Sequence, residues 1–227
     1  MRKIPDSLTA RELAALIDIS AVQAEHGDAD IRRLAGVARE HGFIAAHALP
    51  NFVPLLRELL PPGGPTLVGG PIGFPSGGHM TATKLAEARA LVAAGADELD
   101  MMINLGRLRS GDDAYVRDEI RAVAQAIAPV PLKVIVEMAS LNDDELRRAA
   151  LLAVEGGAAF VKTGTGWRPG AATAERIAVI FAAIGQRAEV KASGGIRSLT
   201  AIAGMLRLGV TRFGINTRVA VALVQEC

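Results

Sequence analysis

Two lysines stand where β-rich apolar runs ordinarily carry no charge. In "AAFVKTGTGWRPG" Lys162 follows an apolar run and precedes a loop of Gly, Thr and one Trp; in "EVKASGG" Lys191 precedes paired glycines. Asp100 falls within "ELDMMIN", and Lys133 and Glu137 within "LKVIVEM". A charge in such a run is costly unless paired. An interior ion pair accounts for any one of them, but two lysines at the ends of adjacent strands ask for more. Neighbouring ammonium groups repel and desolvation disfavours the charged form, so both effects lower a lysine pKa from its unperturbed value of about 10.4. A neutral amine attacks carbonyl carbon. Lys162 is therefore a candidate Schiff-base lysine, Lys191 the cation that depresses its pKa, and Asp100, across from them, a proton-handling carboxylate.

The elements that must position these residues alternate along the chain. Eight short apolar or β-rich runs recur: "LIDIS", "FIAAHAL", "TLVGGPIG", "ELDMMIN", "LKVIVEM", "AFVKT", "EVKAS" and "RFGIN". Between them, stretches such as "TATKLAEARALVAAGA", "DDAYVRDEIRAVAQAIA" and "TAERIAVIFAAIG" space apolar residues by three and four, the period of an amphipathic helix. Asp112, Asn142, Thr173 and Thr200 read as N-caps; Gly95, Gly156, Gly185 and Gly209 sit where helices should stop. With no composition break to serve as a linker, residues 1–227 read as one (β/α)8 TIM-barrel domain with a short N-terminal helix. An open doubly wound sheet is the rival. In a barrel, active-site groups gather at the C-terminal ends of the strands, where all three candidates fall.

The loops after the last two strands suggest an anion site. In "KASGGIRSLT" the backbone N–H groups of Gly194 and Gly195 can converge on a phosphate at a helix start, and "RFGINTR" offers a second turn after strand eight. Turn sterics alone also favour glycine there.

Composition excludes several other classes. At 227 residues and 50% hydrophobic the chain can bury one large core. A balance of 25 basic and 24 acidic residues, with few aromatics, gives neither a field nor a stacking platform for nucleic acid, nor attraction to an anionic membrane. One cysteine, Cys227, makes no internal disulfide and suits a reducing compartment. In the opening "MRKIPDSLTARELAALI", Asp6, Arg11 and Glu12 interrupt any leader core, so a cytoplasmic location is expected, without nucleic-acid or membrane partners. His26, His41 and His79 show no metal-ligand spacing, and neither a metal nor another cofactor is expected.

"KTGTG", "VKASGGIR", "GADELDMMINLGRLRSGD", "LKVIVEM" and "PIGFPSG" together resemble the deoxyribose-phosphate aldolase family, in that family's order and across nearly the whole chain. The resemblance implies a metal-independent class I aldolase, a lyase on a (β/α)8 barrel. It would cleave 2-deoxy-D-ribose 5-phosphate reversibly to D-glyceraldehyde 3-phosphate and acetaldehyde, as in carbohydrate catabolism. Lys162 would be the Schiff-base lysine, Lys191 the assisting lysine and Asp100 the proton-relay acid.

Departures from the family pattern cluster around substrate binding. The family's T-S-T-G after the catalytic lysine reads Thr163-Gly164-Thr165-Gly166, followed by Trp167. Its G-T-S-S-G turn reads Gly214, Ile215, Asn216, Thr217, Arg218; its "IDHT" reads Asp18, Ile19, Ser20 without the His; and His47 stands where an aldehyde-facing Cys is common. The chain ends at "VQEC" without a terminal Tyr, so a tail-borne proton shuttle is not expected. Gly166, Trp167, Gly194, Gly195, Asn216, Thr217, Arg218, Ser20 and His47 form the candidate substrate and phosphate set. Arg218 is able to grip a phosphate or a carboxylate through paired N–H donors, and Trp167 to close the mouth. Rival readings are a Schiff-base aldolase for an unphosphorylated or carboxylated substrate, a barrel isomerase or lyase that uses its glycines only to hold phosphate, and a non-catalytic barrel descendant. A small aldehyde or sugar phosphate is the expected partner, and a homodimer is left open.

Overall fold

A computed structural model of the chain describes residues 8–227; residues 1–7, including Asp6 of the leader argument, lie outside the described part. Eight parallel strands close into a barrel in chain order: β1 Ile17–Ala21, β2 Ala45–Ala48, β3 Leu67–Ile72, β4 Glu98–Met102, β5 Leu132–Ile135, β6 Phe160–Lys162, β7 Glu189–Ser193 and β8 Arg212–Asn216. Helix α1 (Ala10–Ala14) precedes β1. The crossovers are α2 (Asp28–His41), α3 (Val53–Leu59), α4 (Thr81–Ala93), the pair α5 (Leu105–Arg109) and α6 (Asp113–Ile127), α7 (Asp143–Glu155), α8 (Ala174–Ile184) and α9 (Leu199–Leu208); α10 (Thr217–Gln225) follows β8. The closed ring removes the doubly wound alternative.

The eight expected runs are the eight strands, because a strand covered on both faces must be apolar nearly throughout. Every residue of β4 and β5 is buried. Asp112, Asn142 and Thr173 cap their helices as expected, each side chain accepting a backbone N–H three residues on. The α9 cap is Ser198 and not Thr200: its hydroxyl accepts from the Ala201 amide, leaving Thr200 inside the first turn. Similarly, Gly156 stays right-handed at the end of α7, and Gly157 makes the reversal with φ 92°.

The apolar core lies between the strands and the helices, with Phe43, Leu56, Ile120, Ile177 and Phe213 fully buried. The barrel's own interior is different. Asp18, His47, Glu98, Asp100, Lys133 and Lys191 are all buried and project from β1, β2, β4, β5 and β7. A second buried pair stands outside the ring, where the Lys84 ammonium on α4 donates to Glu119 Oε2 at 2.8 Å and to the Met102 carbonyl at 2.9 Å. It ties α4 and α6 to the end of β4, two residues past Asp100.

Candidate active site

Strand pairing brings the two lysines together, since Lys162 at the end of β6 is the register partner of Lys191 on β7. Both ammonium groups donate to one atom, Asp100 Oδ2, each at 2.8 Å. Lys191 also meets Asp18 Oδ2 at 2.6 Å. One layer deeper, Lys133 lies 2.6 Å from Glu98 Oε1 and 3.4 Å from Asp100 Oδ1. Arg212 on β8 bridges Asp18 Oδ1 and both oxygens of Glu98. The strand charges are thus one array, in which each carboxylate has at least two cationic neighbours.

The array's balance favours an uncharged Lys162. Asp18, Glu98 and Asp100 are offset by Lys133, Lys191 and Arg212, so a proton on Lys162 leaves one buried positive charge in excess. Burial pushes the Lys162 pKa down; Asp100 opposes this and Lys191 reinforces it, leaving it below the ordinary lysine value. Lys191 goes the other way: burial is outweighed by Asp100, Asp18 and Glu98, and it stays charged. Burial likewise opposes ionisation of Asp100, but Lys162, Lys191 and Lys133 hold its carboxyl well below the usual range. Of the two lysines, Lys162 has its charged form disfavoured and Lys191 has it favoured.

A cavity opens above the array. Ser20, His47, Gly166, Gly194, Gly195 and Asn216 line it together with Asp100, Lys162 and Lys191. Trp167 stands at the rim, 38% exposed, edge-on to the cavity-lining Phe74 at 5.6 Å, while its Nε1 donates to the Val22 carbonyl at 3.0 Å. That bond ties the loop after β6 to the loop after β1. Thr217 and Arg218 line a neighbouring groove between α2 and α10 instead of the cavity. The Asn216 side chain is committed to capping α10 through the Val219 amide, and the Thr217 hydroxyl donates to the Ser20 carbonyl. Arg197, two residues past the paired glycines, lines the cavity in their company.

Relatives decide the family. The profile described as "DeoC/LacD family aldolase" matches residues 67–215. A deoxyribose-phosphate aldolase of Rhizobium meliloti is 68% identical over 226 residues, covering 100% of this chain and 91% of that protein. The chain belongs to the DeoC/LacD aldolase family. A deoxyribose-phosphate aldolase of Klebsiella pneumoniae is 45% identical over 92% of this chain and 84% of its own length. Among solved structures, the tetrameric deoxyribose phosphate aldolase of Aeropyrum pernix superposes with a TM-score of 0.81 at 27% identity, covering 96% of this chain and 92% of that one. The aldolase called QR15 superposes at 0.88 with 31% identity, covering 95% of both chains. The chain is an aldolase, an aldehyde-lyase, and the barrel is that of its family.

Within this DeoC/LacD aldolase, the glycine in "KTGTG" has a steric cause. A Cβ at Gly164 would lie 3.0 Å from Glu137 Oε1 and 3.2 Å from the Ser193 carbonyl. Glu137 occupies that space in a left-handed conformation, φ 52°, accepting hydrogen bonds from the Thr165 hydroxyl and amide. A buried carboxylate thus stands close against Gly164, and it fixes the loop that begins at Lys162.

Sequence reasoning singled out Lys133 and met Asp18 within a motif, but passed over Glu98, Arg212 and Arg197. The signal for Glu98 was its spacing of two from Asp100, which puts both on one strand face. Asp18, His47 and Glu98 also bring ligand-type atoms within 4.8 Å of one another. Lys133, Lys191 and Arg212 already neutralise those carboxylates, so a divalent cation would have to displace buried ammonium and guanidinium groups. Among the described residues no helix is long and apolar enough to cross a membrane.

Proposed function

We propose that this aldolase cleaves 2-deoxy-D-ribose 5-phosphate reversibly to D-glyceraldehyde 3-phosphate and acetaldehyde through an imine on Lys162. The observation that carries the reading is the shared oxygen: two register-paired lysines on Asp100 Oδ2, one with its pKa lowered and the other kept charged. The uncharged Lys162 amine adds to C1 of the open sugar and loses water. The resulting iminium takes up the electron pair of the C2–C3 bond, releasing glyceraldehyde phosphate and leaving the enamine of acetaldehyde. C2 then takes a proton through the Asp100–Lys191 pair, and water frees acetaldehyde and the lysine.

The phosphate end of the substrate belongs, in this reading, to the turn after β7. Gly194 and Gly195 have φ 100° and 69°, and a Cβ at Gly195 would lie 2.6 Å from that of Ala171, so this backbone is open to an anion only as glycine. Arg197 adds a charge on the same side of the cavity, at the position where barrels of this kind commonly bind phosphate. The name shared by the curated relatives supports the phosphorylated sugar.

Acetaldehyde with borohydride tests the imine. The intact mass should rise by one ethyl group, mapped to Lys162, and Lys162→Ala should abolish the adduct. An adduct that persists on another lysine in that variant would overturn the assignment.

A further inference from the structure

Cleavage of the C2–C3 bond requires a base for the C3 hydroxyl, and none of the three residues assigned so far suits that task. Lys162 is consumed as the iminium, Lys191 stays protonated, and Asp100 is held far below the usual carboxylate range by three lysines. His47 remains. Its imidazole lines the same cavity, and its Nε2 is fixed on Glu98 Oε1 at 2.9 Å. Glu98 is itself anchored by Lys133 and Arg212, so it accepts the Nε2 proton and leaves Nδ1 with a lone pair. Nδ1 has no hydrogen-bond partner among the described residues and lies 3.9 Å from Asp100 Oδ2, the oxygen that holds both lysines. The backbone makes room for the ring: a Cβ at Gly69 would come within 2.3 Å of it.

We propose that His47 is the base that takes the C3 hydroxyl proton of the Lys162-bound sugar, with Nδ1 as the accepting atom and Glu98 holding Nε2 in place. This rests on the imine reading above. In the step, the O–H bond breaks and its proton passes to Nδ1. The oxygen pair forms the C3=O bond, the C2–C3 pair forms the C1=C2 bond of the enamine, and the iminium nitrogen regains its lone pair. Positive charge leaves the nitrogen on β6 as it appears on the imidazole on β2. The buried array therefore keeps one net charge throughout, and Asp100 and Glu98 flank the imidazolium that forms. Burial, aided by Lys191, keeps the imidazole neutral beforehand, although Asp100 and Glu98 oppose this. After glyceraldehyde phosphate leaves, the imidazolium gives its proton to solvent. In the synthetic direction His47 protonates the new alkoxide.

The test compares cleavage with imine trapping in His47→Gln and His47→Ala. The amide introduced by His47→Gln can still donate to Glu98 but offers no base. Both variants should trap acetaldehyde on Lys162 under borohydride while kcat for 2-deoxyribose 5-phosphate cleavage falls by about 100-fold or more, with KM nearly unchanged. Added imidazole should restore part of the rate in His47→Ala and none in His47→Gln. Cleavage at the wild-type rate in His47→Gln would overturn the proposal. So would loss of trapping together with cleavage, since His47 would then merely support the array. Failure of the wild-type protein to trap acetaldehyde would instead strike at the imine reading itself.

Discussion

Lys162 and Lys191 face each other across one strand pairing, and their ammonium groups rest on the same oxygen of Asp100. A carboxylate alone would hold Lys162 protonated, and burial alone would strip charge from both lysines. Together they separate the pair, because Lys191 has Asp18 as a second anion and Lys162 does not share it at comparable distance.

Removing the fixed cation should therefore blunt the nucleophile. In Lys191→Met, Lys162 keeps Asp100 but loses the repulsion that helps to lower its pKa, so its deprotonation should move to higher pH. The check is the pH profile of acetaldehyde trapping, which should shift to the alkaline side; a superimposable profile would separate the two lysines energetically.

Asp100→Asn should leave trapping measurable while suppressing exchange of the acetaldehyde methyl protons with solvent. It should also change the acid behaviour of the fold. A carboxylate with a depressed folded pKa stabilises the native state above its unfolded value of about 3.9, and that contribution fades as pH falls through the folded value. Near pH 7, breaking the buried contacts should cost about 3–5 kcal/mol. Thermal melts of the two proteins should converge as the pH is lowered from neutral toward 2.

Phosphate recognition should depend on Arg197 and not on Arg218. Arg197→Met should lower kcat/KM for the phosphorylated sugar by about 10- to 100-fold, the loss of one charge-assisted contact of roughly 1.5–3 kcal/mol, with little effect on unphosphorylated deoxyribose. Arg218→Ala, in the neighbouring groove, should stay within about twofold for both sugars. The reverse pattern would move the phosphate to the turn after β8.

Gly69 and His47 should behave as one unit in stability. Gly69→Ala places a methyl group within 2.3 Å of the imidazole, and overpacking of that kind costs about 1–3 kcal/mol. In a His47→Ala background the same substitution should cost far less, and a double-mutant cycle on denaturant midpoints measures the coupling.

The barrel was legible in the sequence because strands covered on both faces are written as apolar runs, and "TAERIAVIFAAIG" or "DDAYVRDEIRAVAQAIA" could only be helices between them. Lys162, Lys191 and Asp100 were legible because charge inside such runs is anomalous. Arg212 and Glu98 were not, because each sits at a strand edge, where a charge looks like the start of a turn. Arg212 lies 114 residues from Glu98 and 194 from Asp18, the two carboxylates it bridges. Arg197 and Arg218 present the same ambiguity, each following a glycine-bearing turn. What separates them is the cap of α10 at Asn216, which commits Thr217 and Arg218 to the first helical turn facing α2.

Arg212 joins the last strand to the first through Asp18, and Asp18 in turn touches Lys191. The electrostatic setting of Lys162 is thus completed by segments from the two extremes of the described chain. A folding intermediate with strands β2 to β7 in place would carry the reactive lysine beside Asp100 and Lys191 but lack the outer counter-charges. Its amine would titrate differently from that of the finished ring. In the proposed chemistry, the pH profile of imine trapping would consequently differ between an unclosed and a closed ring, and so would report the joining of the last strand to the first.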